Sequence, residues 1–201
     1  MPPMRTHLRT LLVLALTAGA CSSTKLVSVY SDRSFAGPPF DKLLVVGLGA
    51  SEGGRAAFEN AVADELAAQG VLGVASGNVL VAMEDVTRER LKRWVETDGY
   101  DAVLVARLVD VKRETSYQPP TYTDFYGYWG GYGSYVTSPG YVLETTTLLV
   151  ETSLFDAATA KVVYSAQSET FQPRSRDAMI GDLVPLLVGD LTKRGMLAKR
   201  E

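Results

Sequence analysis

Residues 102–111 read A-V-L-V-A-R-L-V-D-V, the strongest strand pattern in the chain. A run of apolar and β-branched residues of this length is typical of a strand that is buried within a sheet. We expect this strand to be central at its start and to emerge into solvent near Lys112. The rest of the fold is predicted outward from it.

Before residue 102, strand and helix patterns alternate. Lys42–Leu48 (K-L-L-V-V-G-L) predicts a buried strand. A helix follows, because Phe58, Val62 and Leu66 recur on one helical face, and Gly70 is a natural end for it. Three acidic residues are predicted to point away from that face: Glu59, Asp64 and Glu65.

Two short strands and a second helix are predicted next. Val71–Ala75 and Val79–Ala82 are the strand candidates, and the S-G-N sequence at 76–78 predicts a turn between them. The helix begins at a cap, Asp85 or Thr87, and runs through Asp98 to a stop at residue 99.

After the central strand and a long insertion, two alternating strands are predicted at Tyr141–Phe155 and Lys161–Phe171. Asp156–Ala160 is short enough to join them as an antiparallel hairpin. Ser175–Arg194 predicts a last helix, which Pro185 should kink or split.

This order of elements predicts the fold class α/β (α+β). We expect a single domain at residues 40–197, with a mixed β-sheet of about five strands and about three helices packed on it. A Tyr/Gly-rich insertion occupies residues 117–141.

Three segments resemble a group of uncharacterised proteobacterial outer-membrane lipoproteins. They are F-D-K-L-L-V-V-G at 40–47, D-G-Y-D-A-V-L-V at 98–105 and P-G-Y-V at 139–142. The architecture is also loosely similar to the small α/β domains of LpoB, CsgG and the N-terminal part of TolB. The first resemblance implies an envelope location and brings no activity with it.

The N-terminus predicts export. Basic residues precede a short apolar run at 11–16, which at about half the ~20 residues of a membrane-spanning helix fits a cleaved signal peptide at residues 1–20. A-G-A before Cys21 resembles the lipobox of bacterial lipoproteins, which implies that Cys21 is acylated. The alternative is ordinary secretion with a free thiol at Cys21. By resemblance to lipoprotein sorting, Ser22 implies the periplasmic side of the outer membrane, and residues 21–39 are predicted to be a flexible tether.

Cleavage after residue 20 would remove His7, the only histidine, and acylation would block the only cysteine. Histidine-dependent nucleophile systems, zinc sites with histidine ligands and disulfides are thereby excluded. The whole chain has a net charge of −3, and the cut removes two arginines, so nucleic-acid binding is not expected. We predict no cofactor, no metal and no enzymatic activity.

Gly49–Ala56 (G-A-S-E-G-G-R-A) is close to a phosphate-binding loop. That motif needs Lys and a hydroxyl residue where Arg55 and Ala56 stand, so we interpret the loop as a strand-to-helix turn and not as a nucleotide site.

Four acidic residues lie on predicted strands: Asp110, Glu144, Glu151 and Glu169. They could meet as an acid/base pair or a cation site, but no ligand spacing accompanies them, and a solvated sheet face is the favoured interpretation.

The insertion holds seven of the ten tyrosines and a single charge, Asp124. Three outcomes are open: a lid packed on the domain, a recognition surface for a partner protein or glycan, or a contact with lipid headgroups. The residues predicted to bind a partner are Tyr122, Phe125, Tyr126, Tyr128, Trp129, Tyr132 and Tyr135.

The leading functional hypothesis is a non-catalytic, lipid-anchored envelope protein that binds an envelope protein or peptidoglycan through this insertion. A subunit of an outer-membrane export or assembly structure is one alternative. A carboxylate-based periplasmic hydrolase is the other.

Overall fold

The computed structural model describes residues 24–48, 51–78, 88–119, 121–122, 136–138 and 140–198. In chain order the described elements are β1 Thr24–Ser31, β2 Lys42–Leu48, α1 Glu52–Ala68, β3 Leu72–Ala75, a 3₁₀ turn Ser76–Asn78, α2 Arg88–Asp98, β4 Ala102–Gln118, β5 Thr121–Tyr122, β6 Val136–Ser138, β7 Tyr141–Asp156, β8 Val162–Phe171 and α3 Arg176–Lys193.

Six strands form one mixed sheet in the order β1-β8-β7-β4-β2-β3. The strands β3, β2 and β4 are parallel, and β4, β7, β8 and β1 are antiparallel. The predicted α+β class is confirmed, and the predicted hairpin between the last two strands is β7–β8. The central strand β4 is longer than predicted, because it continues to Gln118.

Helices cover both faces of the parallel half of the sheet. The main core lies between the sheet and the helices α1 and α3, with Leu104, Leu154 and Leu187 fully buried in it. A smaller cluster on the opposite face includes Leu44 and Val95, so α2 packs there. The described sheet therefore has one layer of two helices on one face and one helix on the other.

The helix α3 is continuous through Pro185 and is not split by it. Its buried face, which includes Leu183, Val184 and Leu187, holds the helix on the sheet, and this packing outweighs the hydrogen bond that proline removes. Ser175 caps its first turn by accepting a hydrogen bond from the backbone N–H of Ala178 (3.0 Å).

A polar contact ties α3 to β8. Tyr164, which has no exposed surface, donates its hydroxyl to Asp190 (2.9 Å), and Arg194 Nε binds the same carboxylate oxygen (2.7 Å). Burial, followed by the contact with Asp190, raises the pKa of Tyr164 well above its usual value.

The flexible tether predicted at 21–39 is wrong for residues 24–31, because they form the edge strand β1. β1 pairs with β8, and Leu26 and Val29 pack against the main core. After β1, Phe35 stacks on Phe40 with ring centroids 5.3 Å apart. The described fold thus includes β1, which starts 16 residues before the predicted domain boundary at residue 40.

The predicted signal peptide, Cys21, the strand candidate Val79–Ala82 and the cap candidates Asp85 and Thr87 lie outside the described residues. Within the described ranges, no helix has the length and apolar character needed to cross a membrane.

Candidate interaction site

The strands β4 and β7 pair over their whole length, and their far ends leave the sheet as a two-stranded arm. The last pairing of β2 with β4 is at Arg107, and that of β8 with β7 is at Thr147. Beyond these points residues 113–118 pair only with residues 141–146 among the described strands. We call these two segments the arm; at 3.3 Å per residue they extend about 20 Å beyond the sheet.

A β-bulge lies in β4 four residues before the arm. Leu108 is opposite Val150 and Asp110 is opposite Leu149, so Val109 is an extra residue on β4. A bulge bends the strand and increases its twist, and it commonly occurs where pairing with a neighbour ends. Here it marks the point at which β4 leaves its parallel neighbour.

Large apolar side chains are exposed at the arm's tip, which we define as residues 116–118 and 141–143. The exposed fractions are 65% for Tyr117, 60% for Val142, 54% for Tyr141 and 42% for Leu143. Residues directly opposite in an antiparallel pair share a face, so Tyr117 and Val142 lie on one face, and Tyr141 and Leu143 on the other. The tip is therefore apolar on both of its faces.

The charged residues of the arm all lie in its half nearer the sheet, residues 113–115 and 144–146, which we call the root. They are Arg113, Glu114 and Glu144. The backbone of Gln172, just after β8, supports the root by donating to the carbonyl of Thr146 (2.8 Å). A two-stranded ribbon alone is marginally stable in water, and an apolar tip on such a ribbon is typical of a contact surface.

The insertion that carries the predicted recognition residues starts at this tip. Residues 121–122 and 136–138 pair as the short strands β5 and β6. Of the predicted residues, only the backbone of Tyr122 is described; the others, Phe125, Tyr126, Tyr128, Trp129, Tyr132 and Tyr135, lie outside the described residues. The sequence reasoning did not identify the exposed tip as a surface of its own, although Tyr117, Tyr141 and Val142 fall within the aromatic segment or directly after it.

Three of the four acidic residues proposed as an acid/base or cation site, Asp110, Glu151 and Glu169, lie on one face of the sheet. Asp110 and Glu169 are each opposite Leu149, and Glu151 is two residues from it on the same strand. Glu151 forms an ion pair with Arg107 (3.1 Å), and Glu169 forms one with Lys25 (3.0 Å). Glu144 lies on the opposite face of the sheet from Asp110, because the register places these residues opposite Thr115 and Leu149. Within the described ranges no group of three or more His, Cys, Asp or Glu residues could hold a metal ion.

A buried carboxylate that the sequence analysis misplaced lies under the strand-to-helix turn. Glu59 was predicted to point away from the core, but it has no exposed surface. Its carboxylate accepts hydrogen bonds from the backbone N–H of Gly47 (2.9 Å), the hydroxyl of Ser76 (2.6 Å) and the backbone N–H of Gly77 (2.8 Å). Helical periodicity could not find these donors, because they come from the end of β2 and from the 3₁₀ turn.

Arg55 lies beside this carboxylate and is more than nine-tenths buried. Its stem packs so closely on residue 47 that a Cβ there would be 3.3 Å from Arg55 Cγ, which explains Gly47. Ser51 caps α1 by accepting from the backbone N–H of Gly54 (3.3 Å). In the turn read as a failed phosphate loop, the arginine is therefore turned into the protein.

A pocket of about 350 Å³ lies between the first turns of α1 and α3, beside the bulge of β4. Its wall is mostly apolar and includes Leu108, Leu148 and Ile180. Arg107 and Arg176 also line it, and each is already in an ion pair with a neighbouring carboxylate.

A larger cavity of about 800 Å³ lies at the opposite end of the sheet, beside the β7–β8 turn. Its carboxylates are held by neighbouring residues: Asp156 accepts from Thr159 (2.5 Å), and Asp32 accepts from Ser34 (2.6 Å). The hydrogen bonds from Ser34 hold the pKa of Asp32 below its usual value. This cavity is therefore lined by carboxylates that already have partners.

No family model matches the chain, and no curated protein matches it. Among solved structures it is similar to the PelC dodecamer from Paraburkholderia phytofirmans, with 15% identity and a TM-score of 0.47, over 89% of this chain and 99% of that chain. A variant of the same dodecamer gives 14% identity and 0.45, over 88% and 98%. Lipoprotein GNA1162 from Neisseria meningitidis gives 18% identity and 0.42, over 76% and 98%. A bacterial lipoprotein is thus among the similar structures, while the uncharacterised family predicted from the sequence stays a prediction.

Proposed function

We propose that this protein is a non-catalytic, lipid-anchored envelope protein that faces the periplasm. Cys21 carries the anchor in the outer membrane, and the arm presents the insertion at 117–141 to an envelope protein or glycan. The observation that carries this proposal is the arm, whose tip is apolar on both faces and supports the aromatic insertion. Tyr and Trp side chains dominate binding hot spots because they combine apolar area with a polar group.

Two features support a role without catalysis. After residue 20 the chain has no histidine, so a Ser-His-Asp or Cys-His system cannot form. The strand carboxylates Glu151 and Glu169 are each engaged by a basic side chain, which is typical of a solvated sheet face. The proposal requires no cofactor, metal, nucleotide or nucleic acid.

The test is photocrosslinking in cells from positions 129 and 132, in the insertion, with Tyr30 as the matched control. Tyr30 is also an exposed tyrosine (55%), but it lies on β1, toward the opposite end of the sheet. We expect Trp129 and Tyr132 positions to capture the same envelope component and Tyr30 to capture none of it. Identical products from all three positions, or an empty result from the insertion, would contradict the proposed recognition role.

A further inference from the structure

The lipid anchor and the arm belong to the same end of the sheet. Thr24, the first residue of β1, is opposite Thr170 of β8, and Thr170 is opposite Leu148 of β7. β1 and β7 run in the same direction, since both are antiparallel to β8. The residues before Thr24 are therefore joined to the sheet at the end from which the arm projects. Tyr141, at the outer end of the arm, lies about 23 Å from Leu148 along β7.

The distance between Cys21 and the sheet is short. Only Ser22 and Ser23 separate Cys21 from β1, and three residues span at most about 10 Å. With the arm pointing away from the membrane, β1 would lie between Thr24 and the bilayer, and its eight residues are roughly 25 Å long. The short connection cannot cover that length. An acylated Cys21 thus requires the arm to point toward the bilayer or to lie along its surface.

The tip has the chemistry of a membrane–water interface. Tyr117 and Tyr141 are both exposed, and tyrosine is enriched at the depth of lipid headgroups because its ring is apolar and its hydroxyl is polar. Val142 and Leu143 add apolar surface on both faces, and the charged residues of the arm stand back toward its root. A surface of this kind is suited to shallow insertion in a leaflet.

We infer that the tip of the arm is a second membrane contact, which inserts into the headgroup layer of the leaflet that holds the Cys21 acyl chains. The occupant of this surface is a lipid bilayer. The inference rests on the lipid anchor of the proposed function, and it deepens that proposal: the insertion beyond the tip would meet a partner at the membrane surface and not a distant glycan strand.

The experiment uses the mature lipidated chain in phosphatidylethanolamine–phosphatidylglycerol vesicles. The native thiol of Cys21 is blocked by acylation, so an environment-sensitive dye reacts only at an introduced cysteine. The pair to compare is Tyr117→Cys at the tip and Tyr30→Cys about 35 Å from it along the strands. Both side chains are exposed, so neither substitution should disturb folding.

We expect nitroxide-labelled lipids to quench the dye at position 117 severalfold more than at position 30. The double substitution Val142→Glu with Leu143→Glu should reduce the quenching at position 117 and leave the thermal unfolding of the domain unchanged.

Equal, weak quenching at the two positions would overturn the inference and leave the proposed partner recognition intact. A shift of dye emission without lipid quenching would also overturn it, because it would show the tip buried against protein. Failure of the chain to float with vesicles would remove the anchor itself, and with it both the inference and the proposed function.

Discussion

At the scale of single residues, two sets of polar side chains join separate elements of the fold. Glu59 joins α1 to the end of β2 and to the 3₁₀ turn through three donors. Tyr164 and Arg194 converge on Asp190 and join β8 to α3. Removing one member of such a hydrogen-bonded set leaves its partners without a hydrogen bond. Single substitutions should therefore measure what each set contributes to the free energy of unfolding.

Glu59→Ala should lower the free energy of unfolding by about 3 kcal/mol or more, because three donors lose their acceptor in a buried site. Denaturant unfolding measures the change. Asp64→Ala is the matched control on the exposed side of the same helix and should change it by less than about 0.5 kcal/mol. Equal effects of the two substitutions would contradict the role assigned to Glu59.

Tyr164→Phe should cost about 1–2 kcal/mol, the value of a hydrogen bond to a charged group. The pKa of Tyr164 is raised in the folded state above its ordinary value of 10.0, so its stabilisation is complete below pH 10 and is lost as the pH rises through the folded-state pKa. Unfolding experiments above pH 10 should show a decline in stability that is shallower in the variant. Identical pH profiles would mean that this tyrosine titrates alike in both states.

At the scale of elements, the strands that cross the core were predictable, and the β4 side of the arm was not. The apolar run of β2 and the alternation in β7 and β8 located these strands within one or two residues, because β2 is buried on both faces and the sheet part of the other two on one. β4 continues past Val111 because β7 pairs with it as far as Gln118. The end of β4 is thus set by cross-strand pairing and not by burial of its side chains. β1 was missed since its serines and lysine resemble a tether, and its partner β8 is far along the chain.

Glu59 was misplaced for a related reason. A helix-periodicity argument assigns a residue to a face but cannot see donors that other elements bring to it. Of the candidate site, the sequence identified the aromatic composition. The sheet register was needed to show that the aromatic insertion starts at the tip of a two-stranded arm.

Replacing residues 119–140 by Asn-Gly, which would close the arm directly from Gln118 to Tyr141, should not lower the stability of the domain. Gln118 and Tyr141, between which the new turn would lie, are about 20 Å beyond the sheet. A shorter loop also loses less conformational entropy on closing. Thermal and urea unfolding give the measurement. A loss of about 2 kcal/mol or more would instead support the lid, since it would show that the removed residues pack on the domain.

At the scale of the whole molecule, the sheet has two unlike ends. One end carries the first residue of β1, the arm and the pocket of about 350 Å³. The other carries the β7–β8 turn and the cavity with paired carboxylates. With β1 as part of the sheet, only Ser22 and Ser23 separate Cys21 from the folded domain, whereas the flexible tether predicted at 21–39 would have let the domain move far from it.

A chain that begins at Phe40, the boundary predicted from the sequence, should be less stable than one that begins at Ser22. It lacks β1, so Leu26 and Val29 no longer pack on the core, and roughly 3 kcal/mol or more is lost. Denaturant midpoints of the two soluble chains are the comparison. Equal midpoints would show that β1 adds nothing to the folded domain.

For a chain exported with the proposed anchor, the pairing of β1 with β8 also sets an order of events. Thr24 and Thr170 hydrogen bond across 146 residues. The first strand, β1, can therefore pair only after β8, the last strand, has been made available. Contacts of such sequence separation form late, because a long loop must close before they contribute. With the proposed anchor, β1 would therefore still be unpaired while the rest of the chain crosses the membrane. In that interval Cys21 would be accessible to the enzymes that cleave and acylate it, and sheet closure afterwards would place the anchor beside the arm.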